Sequence, residues 1–565
     1  MSSIRVSVLA ALAGGVLAGQ AQTNIIEGVP MQDATVSAQP AAGKAPQKMM
    51  SLEDCLVVAL QHNFDIQIQR YNPEIARGVL GASYGAYDPN LALAGEHDRN
   101  VQPGGIDGLG QVYTGSEYDQ NQISGGLTGL LPWGMSYNLG ANVNDQWGTK
   151  NVLQPNFAQP RGTSTNYFTD LNGNQVGLIS TNYAATTQPV PFEYSSGQAA
   201  VASLQQPLLR NFWIDQPRLT IFINKANLRS SEADFRDQVM ATITSVETAY
   251  FNLISADENV AVQMKALELA EETAAEDRKR VEVGAAAPLD ARQSESQAAT
   301  SRADLLQALA SRETTERVLK NLLSDSYTNE WSVLRILPTD KLLAMPQSFD
   351  LQQSWKRGLT QGPGLQQSRL VVAKNTRTVS YQKNQLYPEL DLIGSYGLQA
   401  GGAAKEYSDA ISQIRGADYP FWSVGAQMSI PLSQTAARNN YKSAKAVKEQ
   451  SAVQLKQLEQ QRMIVIENDI ANARTDFERV AATHQARLYA EAALEAEQKK
   501  LENGKSTTFV VLGLQTKLTT ARTDEINALA QYNIALAQLA FDEGATLERR
   551  KVSLEAKTST AKLAQ

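Results

Sequence analysis

Cysteine is nearly absent from this 565-residue chain: a single residue, Cys55, excludes an intrachain disulfide and any multi-cysteine metal site. The only histidines, His62, His97 and His484, are scattered, which leaves little material for a metal centre. No His, Ser or Cys has convincing partners for nucleophilic work, so catalysis is disfavoured and no cofactor is expected. Positive charge is not in surplus either. With Lys+Arg 51 against Asp+Glu 58 the net charge is -7, and neutralising a phosphate backbone would need the opposite balance, so nucleic acid is not an expected partner. Charged residues make up 19% of the chain, below the usual quarter, and Gln, Asn, Ser, Thr and Ala fill the polar and small positions. Pro103-Gly104-Gly105 through Gly110 lacks the lysine and the strand-to-helix context of a phosphate loop and reads as a flexible outer loop. Long apolar runs are missing as well. Beyond the N-terminal region no stretch of 18 apolar residues occurs, so no transmembrane helix is expected, which leaves β-strands as the route to a membrane role.

The N-terminus carries Arg5, an apolar run from Val6 to Ala18, and then Gly19-Gln20-Ala21, a small-x-Ala cleavage pattern. Residues 1–21 therefore read as a secretory signal peptide, its apolar core shorter than the roughly 20 residues of a spanning helix. Residues 22–50, Gln-, Ala- and Pro-containing without periodicity, read as a mobile leader.

The remaining chain is written twice, as 51–325 and 348–547, joined by a linker over 326–347. Each copy passes from a mixed helical stretch into an alternating segment through Tyr-x-Pro or Tyr-Pro: Tyr87-Asp88-Pro89 in the first and Tyr387-Pro388 in the second. Each returns through a strand-like run closing on Pro207-Leu208 or Pro431-Leu432. A long helical stretch follows, about 217–283 and about 434–503, each about 100 Å long at 1.5 Å per residue. Asp215 and Pro217 suit the start of the first, and Ser433 or Thr435 can cap the second. Gly284 and Gly504 sit where a left-handed C-terminal residue is wanted, and shorter helices restart at about 288 and 508, so each pair is a helical hairpin with its turn at a far tip. Phe235, Val239, Thr242, Val246, Ala249, Leu253, Ala256 and Val260 alternate by four and three, as do Leu514, Leu518, Ala521, Glu525, Ala528, Tyr532, Ala535 and Leu539. That is a heptad seam. Apolar residues off the seam (Ile243, Tyr250, Met264) give each helix a second partner, as a closed cylinder requires. The shorter helices after the tips and those opening each half (about 51–86 and 348–386) are roughly half to three-fifths as long as the rods, so two placed end to end match one long helix.

Strand-like alternation covers 89–98, 197–206, 390–398 and 421–430, each long enough for a tilted bilayer crossing. Ser124–Leu131 and Met135–Val143 alternate on either side of Pro132-Trp133-Gly134, as a hairpin of a transmembrane barrel would. Aromatic residues (Trp133, Tyr137, Trp147, Tyr194, Tyr396, Tyr419, Phe421, Trp422) lie near the strand ends, which suits an interfacial girdle. One chain supplies too few strands to close a barrel, and open edges cannot face lipid, so oligomerisation is a physical requirement.

The order of these features resembles the TolC family of outer-membrane efflux proteins. The resemblance rests on the signal peptide, the tandem halves, Ser51-Leu52-Glu53-Asp54-Cys55-Leu56 leading a helix with Ala59-Leu60 and Asn63, the strands closing on Pro-Leu, and the Val-Gly and Asn-Gly tips, and it covers nearly all of 51–547. It implies a mixed α and β membrane protein built from two internal repeats: a homotrimer whose transmembrane β-barrel in outer-membrane lipid continues as a long periplasmic α-helical barrel. It also implies that the tips meet an inner-membrane pump through a periplasmic adaptor protein, and that substrates are conducted passively. By the same resemblance, Val283-Gly284-Ala285-Ala286 and Asn503-Gly504-Lys505-Ser506 would dock adaptor tips, while the glycines also terminate helices. Members often carry aspartates just beyond the second tip as an acidic pore constriction. Here Phe509-Val510-Val511-Leu512-Gly513 has no carboxylate, but Asp290 stands at the corresponding place in the first copy. Asp290 has two readings, a ring of three carboxylates at the pore entrance or a favourable charge at a helix N-terminus.

The first half departs from a two-strand pattern. Its flanking strands are separated by an insertion holding the Pro132-Trp133 hairpin, with 99–120 and 147–196 expected as extracellular loops. The hairpin would raise the protomer from four strands to six and the trimeric barrel from the family's usual 12 to 18. Residues 548–565, Lys- and Ala-rich without an apolar stripe, read as a frayed tail. Two functional classes follow: an exit duct for efflux or type I secretion, or a secreted coiled-coil scaffold or adhesin without a pore.

Overall fold

The computed structural model describes residues 46–106, 110, 112–284, 287–401 and 404–552. The expected signal peptide, most of the leader, tip residues Ala285 and Ala286, and residues 553–565 of the tail lie outside them.

The first half runs β1 (Gln47–Met50), α1 (Leu52–His62), α2 (Phe64–Tyr84), β2 (Asn90–Gln102), β3 (Gly105–Ile106), β4 (Val112–Tyr113), β5 (Ser116–Leu130), β6 (Ser136–Thr169), β7 (Gln175–Pro207), α3 (Gln216–Glu282) and α4 (Pro288–Leu323). The second runs α5 (Asn329–Val333), β8 (Arg335–Pro338), α6 (Leu351–Gln361), α7 (Pro363–Asn384), β9 (Glu389–Ala400), α8 (Tyr407–Gly416), β10 (Pro420–Ser429), α9 (Thr435–Glu502), α10 (Thr508–Asp542) and α11 (Thr546–Arg549).

Local chemistry explains the helix boundaries. The Ser51 hydroxyl accepts from the Asp54 N–H at 3.2 Å while the Asp54 carboxylate accepts from the Ser51 N–H at 3.1 Å, a reciprocal cap on α1. The helix opening each half is broken in two, where a single stretch was expected. Asn63 makes the first break, because its side-chain oxygen accepts from the N–H groups of Asp65 (2.9 Å) and Ile66 (3.2 Å) and so starts α2 afresh. Gly362 and Pro363 make the second. Asp215 caps α3 through the Arg218 N–H at 2.8 Å, as expected. Neither Ser433 nor Thr435 caps α9, however; Gln434 takes that place in a left-handed conformation, with no side-chain cap.

Composite helices flank each rod. α1, α2 and α4 hold 11, 21 and 36 residues and pack along the 67 of α3; α6, α7 and α10 hold 11, 22 and 35 and pack along the 68 of α9. Each composite therefore matches its rod in length, about 100 Å. Burial follows the heptad seams: Val239, Thr242, Val246, Ala249, Leu253 and Val260 on α3, and Leu518, Ala528, Tyr532 and Leu539 on α10.

The largest core lies where α1, α3 and α4 meet. It holds Cys55, whose thiol burial pushes up to about 12, which makes it an inert packing group. Parts of the expected mobile leader, the linker and the expected frayed tail close over this core. The end of the leader forms β1, which pairs in parallel with β8 from the linker, Gln47 opposite Arg335 through Met50 opposite Pro338. Met50 and Ile336 carry this two-stranded sheet into the core, so pairing and burial together order both segments. The start of the tail is fixed as well: Arg550 pairs with Glu247, and Val552 packs against the same cluster.

Six of the strands form one antiparallel sheet ordered β10-β9-β7-β6-β5-β2, while β3 pairs with β4 alone. β5 and β6 are inserted between β7 and β2. The stretch 147–196 is not a loop: beyond Gly148, where β5 leaves it, β6 continues with β7 alone as a ribbon to Thr169, roughly 65 Å at 3.3 Å per residue. An Asp170–Asn174 turn closes it, with Asp170 accepting from the Asn172 and Asn174 N–H groups at 2.8 and 2.9 Å. Much of 99–120 is strand too, since β2 runs to Gln102 and β5 begins at Ser116.

Candidate functional site: the two-faced sheet and the helical tips

Register makes the sheet two-faced. One row crosses all six strands as Trp422, Tyr396, Ala202, Leu139, Leu127 and Leu91, each opposite the next. The row beside it crosses as Ser423, Ser395, Ser203, Asn138, Thr128 and Asn90. Side chains of adjacent residues on a strand point to opposite faces, so the first row lies on an apolar face and the second on a polar one. Further rows continue both patterns: Val424 and Met428 on β10 and Leu93 on β2 join the apolar face, and Gln427, Asp391 and Asn142 the polar one. Leu91, Leu93, Leu139, Leu204, Leu392, Tyr396, Trp422, Val424 and Met428 are exposed, a contiguous apolar surface that water does not favour. At the end of the sheet away from the helices, Ala404, Ala410 and Ile414 of the β9–β10 connection pack on Ala400 and Val143 of this face. No helix among the described residues is long and apolar enough to cross a membrane, so any crossing falls to the sheet.

The Pro132-Trp133-Gly134 turn sits at the helical end of the sheet. There the Arg218 guanidinium, in the first turn of α3, donates to the carbonyls of Trp133 (3.3 Å), Asn211 (3.1 Å) and Phe212 (3.0 Å) and pairs with Asp215 at 3.0 Å. Gly134 takes φ +93°, and a side chain there would meet this guanidinium. The inserted hairpin thus spans the sheet from its outer end to the junction with the helices.

At the opposite end of the rods, Val283 closes α3 and is exposed, and Gly284 follows at φ +75° with its N–H on the Val281 carbonyl at 3.0 Å. Asn503, Gly504 (φ +68°) and Lys505 repeat this, the Lys505 N–H reaching the Lys500 carbonyl at 2.9 Å. Ser506 donates to Glu497 at 2.6 Å. The Asp290 carboxylate accepts from the Ala287 N–H at 3.2 Å, which is the helix-start reading of that residue.

Sequence reasoning missed a polar ladder that binds the two halves. Between α3 and α10, Ser255 donates to Asn527 (3.1 Å), Thr523 to Asn259 (3.0 Å), Gln515 to Thr273 (3.3 Å) and Thr508 to Asp277 (3.2 Å). Asp277 is 2% exposed, and burial pushes its carboxyl above the usual carboxylate range, against the pull of Ser294 and Thr508. These positions carry small polar residues off the heptad, and only the partner helix reveals them. His484 pairs with Glu525 at 2.6 Å, which satisfies a seam carboxylate.

A two-faced antiparallel sheet continued by two helical hairpins, each about 100 Å long, defines a protomer of the outer-membrane channel class. The sequence profile of the outer membrane efflux protein family matches residues 193–324 and 356–542, more than half of the chain, and the chain belongs to that family. The match begins within β7, so β2, β5 and β6 lie outside it. Solved channels share the fold: the CmeC outer membrane channel of Campylobacter jejuni (15% identity, 88% of each chain covered, TM-score 0.58). Likewise the outer membrane protein VceC of Vibrio cholerae matches at 15% identity over 87% of this chain and 96% of that one, TM-score 0.57. The open state of the Neisseria gonorrhoeae MtrE channel matches at 16% over 88% and 89%, TM-score 0.55. No curated protein sequence matches the chain.

Proposed function

We propose that the protein is the outer-membrane duct of a tripartite efflux or type I secretion system. Three copies would close the sheets into a barrel in the outer membrane and the helices into a periplasmic tunnel. Substrates would pass from an inner-membrane pump through a periplasmic adaptor, and the duct would do no chemistry on them. The observation that carries this reading is the pair of adjacent rows, apolar and polar, running through every strand of a sheet whose chain continues into the rods. An apolar exterior over a polar interior is what a water-filled barrel in lipid requires. Gly284 and Gly504 leave short, open tips, with Val283, Asn503, Lys505 and Ser506 as the described surface for an adaptor. Asp290 is engaged with the backbone of its own helix start, which favours its capping role over a pore ring. Reconstitution into planar bilayers tests the function: discrete single-channel conductance is expected, and a purified trimer that inserts but opens no pore would overturn it in favour of a scaffold.

A further inference from the structure

The geometry points to a wider barrel than four strands per protomer would give: the β5–β6 hairpin crosses the membrane as part of the wall, and three copies close an 18-stranded barrel whose lumen is as broad as the helical tunnel below it. This rests on the channel reading above and deepens it. The hairpin is hydrogen-bonded into the sheet between β7 and β2 along its length, Leu130 opposite Ser136 up to Tyr118 opposite Gly148. Its turn is held at the helical junction by Arg218, so it does not fold over the outer mouth. Leu127 and Leu139 continue the apolar row of the other four strands, and Thr128 and Asn138 continue the polar row. A soluble cap over the mouth would have no reason to keep that phase.

Closure needs further copies of this chain. β2 and β10 end the strand order, each leaving one backbone edge unpaired within the sheet. β2 runs away from the helices and β10 toward them, so β2 of one copy beside β10 of the next is antiparallel, and both faces remain continuous across the joint. Widths agree as well. Each protomer supplies four helical lanes (two rods and two composites), and 12 lanes about 9–10 Å apart have a perimeter of about 110 Å. Eighteen strands about 4.8 Å apart and tilted about 40° also give about 110 Å, whereas twelve give about 75 Å. Because barrel diameter rises roughly in proportion to strand number, the lumen is about half as wide again as a 12-stranded one and about twice its cross-section. The outer-membrane section then imposes no narrower size limit than the tunnel, and cargo as wide as the tunnel can leave.

Site-directed spin labelling of the full chain tests this, with Cys55→Ala removing the native thiol. Single cysteines are placed at Ala202 and Ser203 on β7 and at Leu139 and Asn138 on β6, and the trimer is reconstituted into phosphatidylethanolamine–phosphatidylglycerol vesicles. Labels at Ala202 and Leu139 are expected to collide with oxygen more than with a nickel chelate, and those at Ser203 and Asn138 the reverse. If Ala202 and Ser203 behave so but Leu139 is nickel-accessible, the hairpin lies outside the wall and the inference fails while the channel reading stands. If Ala202 is itself nickel-accessible, the channel reading fails with it. Native mass measurement must give three protomers; any other number overturns the strand count of 18.

Discussion

Arg312 offers a quantitative test of how the half-to-half connection is ordered. Its guanidinium is 3% exposed, pairs with Asp257 at 2.5 Å and Glu316 at 2.5 Å, and donates to the Ile336 carbonyl at 3.1 Å. Glu316 in turn accepts from the Ile336 N–H at 2.9 Å and pairs with Lys320 at 3.0 Å. Both backbone groups of one β8 residue are thus held by a charged ladder on α4. Arg312→Ala leaves Glu316 buried with one cation where it had two and leaves the Ile336 carbonyl without this donor. Breaking a buried pair destabilises by about 3–5 kcal/mol; the lower end applies because the Asp257 side chain is 29% exposed and partly screened. About 3 kcal/mol is about a hundredfold in an opening equilibrium. Hydrogen exchange of the Ile336 amide in the reconstituted protein reads that equilibrium directly, with the Leu253 amide of the core as the control. Arg312→Lys should fall between, since one ammonium cannot reach two carboxylates and a carbonyl with the fork of a guanidinium. An Ile336 amide that exchanges within threefold of wild type in Arg312→Ala would refute the reasoning, because the ladder would then contribute nothing to holding β8.

Three further outcomes follow from the geometry. Arg218→Ala frees the Trp133, Asn211 and Phe212 carbonyls together, so protease cleavage at the 131–135 turn should accelerate at least tenfold while the α3 amides near Val246 stay protected; unchanged cleavage would mean the turn is held by other contacts. Gly504→Ala places a side chain at φ +68° and should destabilise the tip by about 1 kcal/mol, read as faster exchange of the Lys505 amide, whereas Gly504→Asn should lose less; equal losses would contradict a left-handed requirement. Burial and the neighbouring Asp542 carboxylate push the Asp469 carboxyl up to about 7, against the pull of Arg462. The folded state then holds that proton more tightly than the unfolded chain, so this stabilisation is full below about pH 4 and is lost as pH rises to about 7. Asp469→Asn should flatten that fall in thermal midpoint, and superimposable pH profiles would dismiss the pair.

What the sequence made legible follows from the range of the signals. Rods, tips and seams rest on neighbours three, four and seven residues apart, and Asp215, Gly284 and Gly504 do locally what their residue types suggest. The strands of the two-faced sheet were legible too, because an apolar face imprints period two on Leu91, Leu93 and their equivalents. The 149–169 ribbon carries no such imprint, because its apolar residues fall side by side (Val152 and Leu153, Tyr167 and Phe168) instead of on alternate positions, so it read as a loop. The strands in the leader and the linker were not legible for a related reason: four-residue β1 and β8 are too short to show periodicity and exist because each pairs with the other over the α1–α3–α4 core. At the tips, position alone left Asp290 with two readings, a pore carboxylate or a helix-start charge, and its hydrogen bond to the Ala287 N–H was not visible in the sequence.

In the proposed barrel, the inserted hairpin changes the width of the wall without disturbing the tunnel. Adding β5 and β6 adds one descent and one ascent, so the chain still arrives at β7 on the outer side and still starts α3 on the helical side. A single added strand would have put the start of α3 at the other end of the sheet from its partner helices. At the helical junction the insertion contributes only the short 131–135 turn, and Arg218, already placed to close the first turn of α3, holds it through one carbonyl. The new strands also leave the two outer edges, β2 and β10, where a protomer without the hairpin would have them, so copy-to-copy pairing needs no new surface. Strand number is therefore free to vary by twos per protomer, while four helical lanes per protomer stay fixed by the matched lengths of rods and composites.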